Sequence, residues 1–215
     1  MLYIFDLDGT LVDSLEDLKN ATEHALKILG YPGHETKEYC YFVGNGVKKL
    51  IQRAFGSEDE KLYLQARELF DVYYDKHCLD HTEPYENLIE LLKELKRQGH
   101  KVGVITNKPD RLAKKICHYW FKDSIDFCQG QVDGIDPKPN PYFVLEALKN
   151  FNVSKTEAIY IGDSNVDIKT GKNADIKTIG VTWGNRTYEE LVEAGADYIV
   201  NDVQALRQVL LGGNL

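Results

Sequence analysis

The chain has 215 residues with a formal net charge of −8 at pH 7, and 43% of its residues are hydrophobic. This length suits one large domain, or one domain with a smaller insert, and the apolar share can supply a core, which argues against wholesale disorder. The negative charge argues against nonspecific binding to nucleic acid or to an anionic membrane, because both want a basic face. A small anionic substrate stays possible, since a local cation can override the overall sign.

We expect no targeting segment at the N-terminus. The first residues lack a basic start, and Asp6 interrupts the stretch that would be apolar in a signal peptide. No apolar run approaches the length that spans a membrane. The four cysteines form no Cys-x-x-Cys pair, so we expect reduced, mostly buried thiols in a cytoplasmic protein.

The N-terminal third predicts one strand and then a series of helices. The apolar residues 2–5 suit a buried strand. A helical pattern runs from Ser14 to Gly30, and Ser14 with Asp17 resembles a capping box. The later elements of this stretch are a short aromatic piece at 39–43 and helices at 47–55 and 58–78. The segment is therefore predicted to be all-helical.

Helices and strands alternate over the rest of the chain. The predicted elements are helices at 85–98, from 109, at 141–151, 165–173, 188–194 and 203–211, and strands at 101–106, 125–128, 158–161, 176–181 and 197–200. Thr187 and Glu190 form a second capping box, and a loose tail is expected at 212–215. Alternation implies parallel strands with helices on both faces. We predict an α/β fold, a doubly wound, Rossmann-like parallel sheet with an inserted all-helical segment.

Two carboxylates follow the first predicted strand. Asp6 and Asp8 are two residues apart, so their side chains tend to point the same way. Gly9 then lets the chain turn sharply. Two like charges held this close need a cation or a shared proton. The alternative is a strand that ends in a solvated acidic turn, since Asp-Gly is a common turn dipeptide.

Polar residues also stand at other strand ends or in the loops beside them. These are Thr106 and Asn107, Lys138, and Asp163 with Asp167. Taken singly, Thr106 and Asn107 could cap the next helix, Lys138 could be a solvated lysine between prolines, and Asp163 could be an ordinary loop acid. Together they place a hydroxyl, an amide, a cation and carboxylates where an α/β sheet binds its ligand.

These groups, in this order, resemble the four motifs of the haloacid dehalogenase-like hydrolase superfamily. The first is Asp6-Leu7-Asp8-Gly9-Thr10, and Thr106, Lys138 and Asp163 with Asp167 match the other three. Four further segments are similar to the phosphoglycolate phosphatase-like branch, whose members carry a helical cap: 105–109, 138–141, 162–164 and 181–184. The resemblance covers nearly the whole chain.

The resemblance implies a two-step phosphoryl transfer. Asp6 would attack phosphorus and form an aspartyl phosphate. Asp8 would protonate the leaving alcohol and then deprotonate the hydrolytic water. Thr106 and its neighbour Asn107 would bind the phosphoryl group. Lys138 would balance charge on Asp6 and on the transferred group.

The resemblance also implies a Mg²⁺ ion, which suits all-oxygen ligands. Its ligands would be the carboxylates of Asp6 and Asp163 and the backbone carbonyl of Asp8. The residues expected to orient these ligands, bound water or Lys138 are Thr10, Ser164 and Asp167.

The resemblance assigns residues 15–81 to the cap, and residues 1–14 and 82–215 to the catalytic core. Within the cap, Gly44-Asn45-Gly46 resembles the loop through which capped relatives contact the leaving group, and Lys48 or Lys49 could meet a carboxylate there. The alternative is a plain turn between helices, with solvated lysines.

The leading hypothesis is a Mg²⁺-dependent phosphatase acting on a small phosphorylated metabolite, with 2-phosphoglycolate as the first candidate. Pyrophosphatase, nucleotidase and sugar phosphomutase activities share the same core and stay open. A non-catalytic binding module is a weaker alternative, because every group that the chemistry needs is present. No nucleic-acid or membrane partner is expected, and the choice between monomer and homodimer stays open.

Overall fold

The computed structural model describes residues 1–212 and has a parallel sheet at its centre. Within these residues the strands are β1 (Leu2–Phe5), β2 (Val12–Asp13), β3 (Glu83–Pro84), β4 (Lys101–Pro109), β5 (Phe127–Gln131), β6 (Ala158–Gly162), β7 (Lys177–Val181) and β8 (Tyr198–Val200). Six of them form one sheet in the order β5-β4-β1-β6-β7-β8, with every neighbouring pair parallel. The strand order reverses beside β1, and open α/β sheets bind ligands at such a switch point.

Helices cover both faces of this sheet. Among the described residues the helices are α1 (Leu15–Leu29), α2 (Thr36–Phe42), α3 (Val47–Phe55), α4 (Glu60–His77), α5 (Leu88–Arg97), α6 (Asp110–Phe121), α7 (Tyr142–Phe151), α8 (Asn165–Asn173), α9 (Tyr188–Glu193) and α10 (Val203–Leu211). Alternate side chains of β1 separate the two cores. Tyr3 and Phe5 pack with α5, α6 and α10, whereas Leu2 and Ile4 pack with α7. The predicted doubly wound α/β fold is confirmed.

Helices α1 to α4 form the helical insert, which leaves the core between β2 and β3. These two short strands pair antiparallel, with Val12 opposite Pro84. The insert has an apolar cluster of its own, in which Leu18, Leu50 and Phe70 are buried on three different helices. The limits 15–81 for a separate cap domain stay a prediction.

The first predicted capping box is wrong. Ser14 makes no side-chain capping bond to α1; its Oγ donates to Asp8 Oδ1 at 2.6 Å. Asp17 accepts instead from the backbone N–H of His81, at 3.1 Å, and from the N–H and hydroxyl of Thr82, at 2.8 and 2.7 Å. Both side chains therefore bind partners distant in the fold rather than their own helix end. The second box, Thr187 with Glu190, is confirmed.

Several element limits differ from the prediction. The aromatic piece at 39–43 lies mostly within helix α2. Strand β4 continues to Pro109 rather than ending at 106, because Pro109 pairs with Gln131 beyond an irregularity in the ladder. Strand β5 lies later than the predicted 125–128, because it pairs with β4 from Phe127, opposite Gly103, to Gln131, opposite Pro109. Most of the predicted tail, residues 213–215, lies outside the described residues, and across residues 1–212 we find no helix with the length and apolar character of a membrane span.

Candidate active site

Asp6 and Asp8 follow β1 at the centre of the sheet, and both line one cleft. Asp6 is buried, and its N–H donates to Ile161 O on β6 at 2.9 Å. Gly9 turns the chain at φ +82°, and a Cβ at this position would collide with the Asp163 carboxylate. Glycine is therefore required here both for the turn and for the close approach of the neighbouring loop.

Lys138 is buried among the acids of the site. Its Nζ lies 3.0 Å from Asp6 Oδ1 and 2.6 Å from Asp167 Oδ1, and it donates to Tyr160 Oη at 2.9 Å and to Ile105 O at 3.2 Å. Burial favours the neutral amine, but Asp167 and Asp6 outweigh it and hold the pKa of Lys138 well above its usual value. The alternative of a solvated lysine is therefore wrong.

Three buried carboxylates converge around this lysine. Asp6, Asp163 and Asp167 each offer an oxygen, and these oxygens lie within 4.8 Å of one another. Burial, together with the charge of Asp167, raises the pKa of Asp6 to about 7 and the pKa of Asp163 to about 6. Thr10 Oγ1 donates to Asp163 Oδ1 at 3.1 Å, and the Asn185 N–H donates to Asp163 Oδ2 at 2.8 Å. One lysine does not neutralise three acids.

One oxygen of this cluster stands out. Asp6 Oδ1 is buried and accepts no hydrogen bond from any residue that the structure describes, although Lys138 lies nearby as an ion pair. Burying a carboxylate oxygen without such a bond is costly. An all-oxygen donor set with excess negative charge, in which one oxygen has an ion pair but no hydrogen bond, fits a hard divalent cation.

Asp167 is bound differently from the other two acids. Its Oδ2 accepts from the Ser164 hydroxyl at 2.6 Å and from the Ser164 N–H at 3.1 Å, while Oδ1 accepts from Lys138. Ser164 is also the N-cap of α8. Both oxygens of Asp167 are thus engaged, which supports the expected role in orienting Lys138.

Lys108 and Tyr74 are site residues that the sequence analysis missed. Lys108 Nζ donates to Asp8 Oδ1 at 2.8 Å and to Tyr74 Oη, on α4 of the insert, at 2.6 Å. Burial opposes the charged form, but Asp8 and Tyr74 raise the pKa of Lys108 above its usual value. Strand alternation could have found it, because Thr106 and Lys108 are two residues apart, as Asp6 and Asp8 are.

Thr106 and Asn107 lie in the cleft, but neither caps a helix. Pro109 is the residue before α6, with no side-chain capping bond, so the capping alternative is wrong. Asn107 Oδ1 accepts from the Lys138 N–H at 2.8 Å, and its Nδ2 donates to Lys138 O at 3.2 Å and to Gly44 O at 3.3 Å. The Asn107 side chain thus joins the insert to the loop that carries Lys138.

The cleft lies between the carboxyl ends of the central strands and the helical insert, and the empty space in it, counted together with the part open to solvent, is about 450 Å³. Its insert side is mostly apolar, with Leu18, Val43, Val47 and Leu50. The polar lining comes mainly from the sheet side: Asp6, Asp8, Thr106, Asn107 and Lys108. A small ligand here would meet charge on one side and hydrocarbon on the other.

The insert loop 44–46 contributes backbone rather than side chains. Gly44 and Gly46 line the cleft at φ +97° and +83°. The Asn45 side chain instead accepts from Arg53 Nη2 at 2.8 Å. Lys48 and Lys49 form exposed pairs with acids, the former with Glu60 at 2.9 Å. The cation in the cleft is therefore Lys108 rather than either of these lysines.

Comparison with known proteins identifies the family. The haloacid dehalogenase-like hydrolase family model matches residues 3–181. A phosphoglycolate phosphatase of Vibrio vulnificus (strain CMCP6) is 33% identical over 98% of this chain and 96% of its own. One of Aquifex aeolicus (strain VF5) is 34% identical over 84% of each chain. A crystal structure described as a predicted phosphatase from Clostridium acetobutylicum superimposes with a TM-score of 0.88, at 31% identity and 98% coverage of each chain. The chain belongs to the haloacid dehalogenase-like hydrolase family.

Proposed function

We propose that this protein is a Mg²⁺-dependent phosphatase that hydrolyses 2-phosphoglycolate through an aspartyl phosphate. The observation that carries the proposal is the buried Asp6 carboxylate, which lines the cleft, lies within 4.8 Å of the oxygens of Asp163 and Asp167, and has the Lys138 ammonium 3.0 Å from its Oδ1. The relatives named phosphoglycolate phosphatase over nearly the full length support the same reaction.

In the first step Asp6 attacks phosphorus, the bond from phosphorus to the ester oxygen breaks, and the leaving alkoxide takes a proton from Asp8. In the second step Asp8 takes a proton from water, whose oxygen attacks phosphorus. This releases inorganic phosphate and restores the Asp6 carboxylate. Lys138, charged and fixed by Asp167, offsets negative charge during both steps. The Thr106 hydroxyl, which lines the cleft, is available to the phosphoryl oxygens.

The donor set fits a magnesium site. Asp6, Asp163 and the backbone carbonyl of Asp8 would hold the ion, and Thr10 would fix Asp163 through its hydrogen bond. When bound, the ion supplies positive charge to the phosphoryl oxygens and to the acid cluster. The raised pKa values of Asp6 and Asp163 support this, because burial and the charge of Asp167 disfavour their ionised forms, and a cation would offset both effects.

Lys108 supports a leaving group that carries a carboxylate. It is a buried cation that lines the cleft and pairs with Asp8, and Tyr74 adds a hydroxyl beside it. A short ester would place phosphate at Asp6 and its carboxylate at Lys108, with its methylene against Val47 and Leu50. Lys108 would then exchange its bond to Asp8 for one to substrate, and Asp8, no longer paired with a cation, would take up from water the proton that it later passes to the ester oxygen. A sugar would meet few polar partners on this apolar wall.

The experiment is a rate profile over phosphate esters with Mg²⁺, using the protein and its Asp6→Asn and Asp133→Asn variants. Asp133 is an exposed acid away from the cleft and serves as the charge-matched control. We expect the highest kcat/KM for 2-phosphoglycolate, no turnover by Asp6→Asn, and unchanged turnover by Asp133→Asn. Preference for pyrophosphate, a nucleotide or a sugar phosphate would assign the other substrate class. Turnover by Asp6→Asn would refute the mechanism.

A further inference from the structure

The loop between β7 and α9 contacts both the acid cluster and the helical insert. Trp183 Nε1 donates to Thr10 O at 3.1 Å. The next residue, Gly184, lies so close to Asp163 that a Cβ there would collide with its carboxylate. The Asn185 N–H donates to Asp163 Oδ2 at 2.8 Å. The loop therefore contacts Asp163, a proposed metal ligand, directly.

Arg186, the next residue, extends from this loop to the insert. Its guanidinium donates to Cys40 O and, from Nη2 at 2.9 Å, to Val43 O. It also lies over the Tyr41 ring, 5.4 Å from the centroid. Only 8% of its side chain is exposed, and its acidic neighbour Glu190 is 4.0 Å away. The positive charge of Arg186 is thus stabilised mainly by backbone carbonyls of the insert.

These carbonyls belong to the end of helix α2. The last carbonyls of a helix lack partners within it and carry partial negative charge, so a cation at this end is favourable. The last turn of α2 has no basic residue of its own. Arg186 supplies that charge from the core, across the boundary to the insert. The chain that follows, Val43 to Gly46, forms one wall of the cleft.

We infer that Arg186 is a positioning residue that couples closure of the insert over the cleft to the occupancy of the metal site at Asp163. The inference rests on the proposed function, because it takes Asp163 as a metal ligand. With Asp163 held as a ligand, the Asn185 N–H that donates to it would be held as well, and with it the orientation of Arg186 towards α2. Coupling between two sites is reciprocal, so closure must strengthen metal binding by the same factor.

Arg53 provides a matched control. It donates to Tyr41 O at 2.8 Å, to Phe42 O at 3.0 Å and to the Asn45 side chain. It therefore neutralises the same end of α2, but it lies on α3 and does not cross to the core. Arg186→Met and Arg53→Met both remove a guanidinium from this turn. Of the two arginines, Arg186 is the one whose chain neighbour, Asn185, binds Asp163.

The test is amide hydrogen exchange at residues 40–46 with and without Mg²⁺, together with calorimetric titration of Mg²⁺. In the unmodified protein and in Arg53→Met, we expect Mg²⁺ to slow exchange by about fivefold or more, the lower end of typical coupling. In Arg186→Met the slowing should be lost, and the Kd for Mg²⁺ should rise by the same factor. Arg186→Lys, which keeps the charge and cannot bond both carbonyls, should fall between.

The inference would be overturned if Mg²⁺ changed hydrogen exchange at residues 40–46 equally in the unmodified protein and in Arg186→Met. This holds whether that change is large or absent in both. Calorimetry separates the two ways this can happen. If Mg²⁺ binds but does not affect residues 40–46, the coupling is wrong and the proposed metal site stands. If the unmodified protein binds no Mg²⁺, the proposed function fails as well. A thermal melt of each variant shows that it is folded.

Discussion

The two sides of the cleft differ in the residues that line them, which are mainly polar and charged on the sheet side and mainly apolar on the insert side. The sheet side places buried, charged groups at strand ends and in the loops beside them, where Asp6, Lys108 and Lys138 are each at most 6% exposed. The insert side offers apolar side chains and glycine backbone, and its own lysines form exposed pairs with glutamates. The charged groups are thus held by the sheet and its loops, and we expect the insert side mainly to exclude water and to select the shape of the ligand.

The largest effect should come from the centre of the charged side. Lys138→Met leaves Asp6 and Asp167 buried without their cation, and breaking a buried pair costs ~3–5 kcal/mol. We expect that loss in the free energy of unfolding from urea titration, together with loss of turnover. Lys172→Met is the control, because its pair with Asp197 is exposed. Equal losses in the two variants would contradict the distinction between buried and exposed charge.

Substrate choice should depend on Lys108 rather than on the lysines of the insert. A hydrogen bond to a charged group contributes ~1.5–3 kcal/mol, so Lys108→Met should lower the preference for 2-phosphoglycolate over its neutral amide about 10- to 100-fold. The measurement is the ratio of kcat/KM for the two esters.

Lys48→Met, which removes the lysine paired with Glu60, is the matched variant on the insert side. Its ratio should stay within about twofold of the unmodified protein, since an exposed pair contributes little. A larger change at Lys48 than at Lys108 would reverse the roles of the two sides.

The acid cluster should make Mg²⁺ binding depend on pH. Asp6 and Asp163 have folded-state pKa values raised to about 7 and about 6. Between the ordinary carboxyl pKa of 3.8 and these raised values, the folded protein without metal binds more protons than the unfolded chain. Its free energy of unfolding therefore falls as the pH rises from about 4 to about 7. Mg²⁺ offsets the repulsion only when the acids are ionised.

The rise in melting temperature on adding Mg²⁺ should consequently be larger at pH 8 than at pH 5.5. Each protonated ligand weakens binding by about tenfold per pH unit below its pKa. Differential scanning calorimetry at the two pH values measures this. Equal rises would show that these carboxyls do not bind the ion.

The smallest effect is expected where α1 contacts the segment that returns from the insert to the sheet. Asp17 is buried on α1 and accepts hydrogen bonds from His81 and Thr82 in the returning linker. Asp17→Asn keeps the shape but removes the charge, and we expect a loss of ~1–2 kcal/mol in unfolding free energy. The chemical step, followed by single-turnover burst kinetics, should be unchanged, since Asp17 is not part of the cleft lining. A slower burst in Asp17→Asn would mean that the contact between Asp17 and residues 81–82 affects the reacting groups.

The sequence predicts the charged side better than the insert side because its signals are local. The ends of β1, β4 and β6 are marked by an apolar run and then a polar group, and the parallel sheet brings those ends together. Lys108 was missed because β4 runs past residue 106 and because Tyr74 comes from a distant helix.

At Ser14 and Asp17 the sequence pattern predicts a local contact that the folded chain does not form. Their spacing satisfies the capping rule, but Asp8 and Thr82 are stronger partners that only the folded chain supplies. Arg186 has no motif around it that predicts its contact with α2. Such contacts between distant segments depend on how the insert lies over the sheet, and local patterns do not contain that information.

The most direct test is a crystal structure with Mg²⁺ and beryllium trifluoride, a mimic of a phosphoryl group attached to a carboxylate. We predict beryllium bonded to an Asp6 carboxylate oxygen, the cation shared by Asp6 and Asp163, and Lys138 beside the fluorides. An adduct on any other residue, or an Asp6 carboxylate turned away from the fluoride, would contradict the claim that Asp6 receives the phosphoryl group.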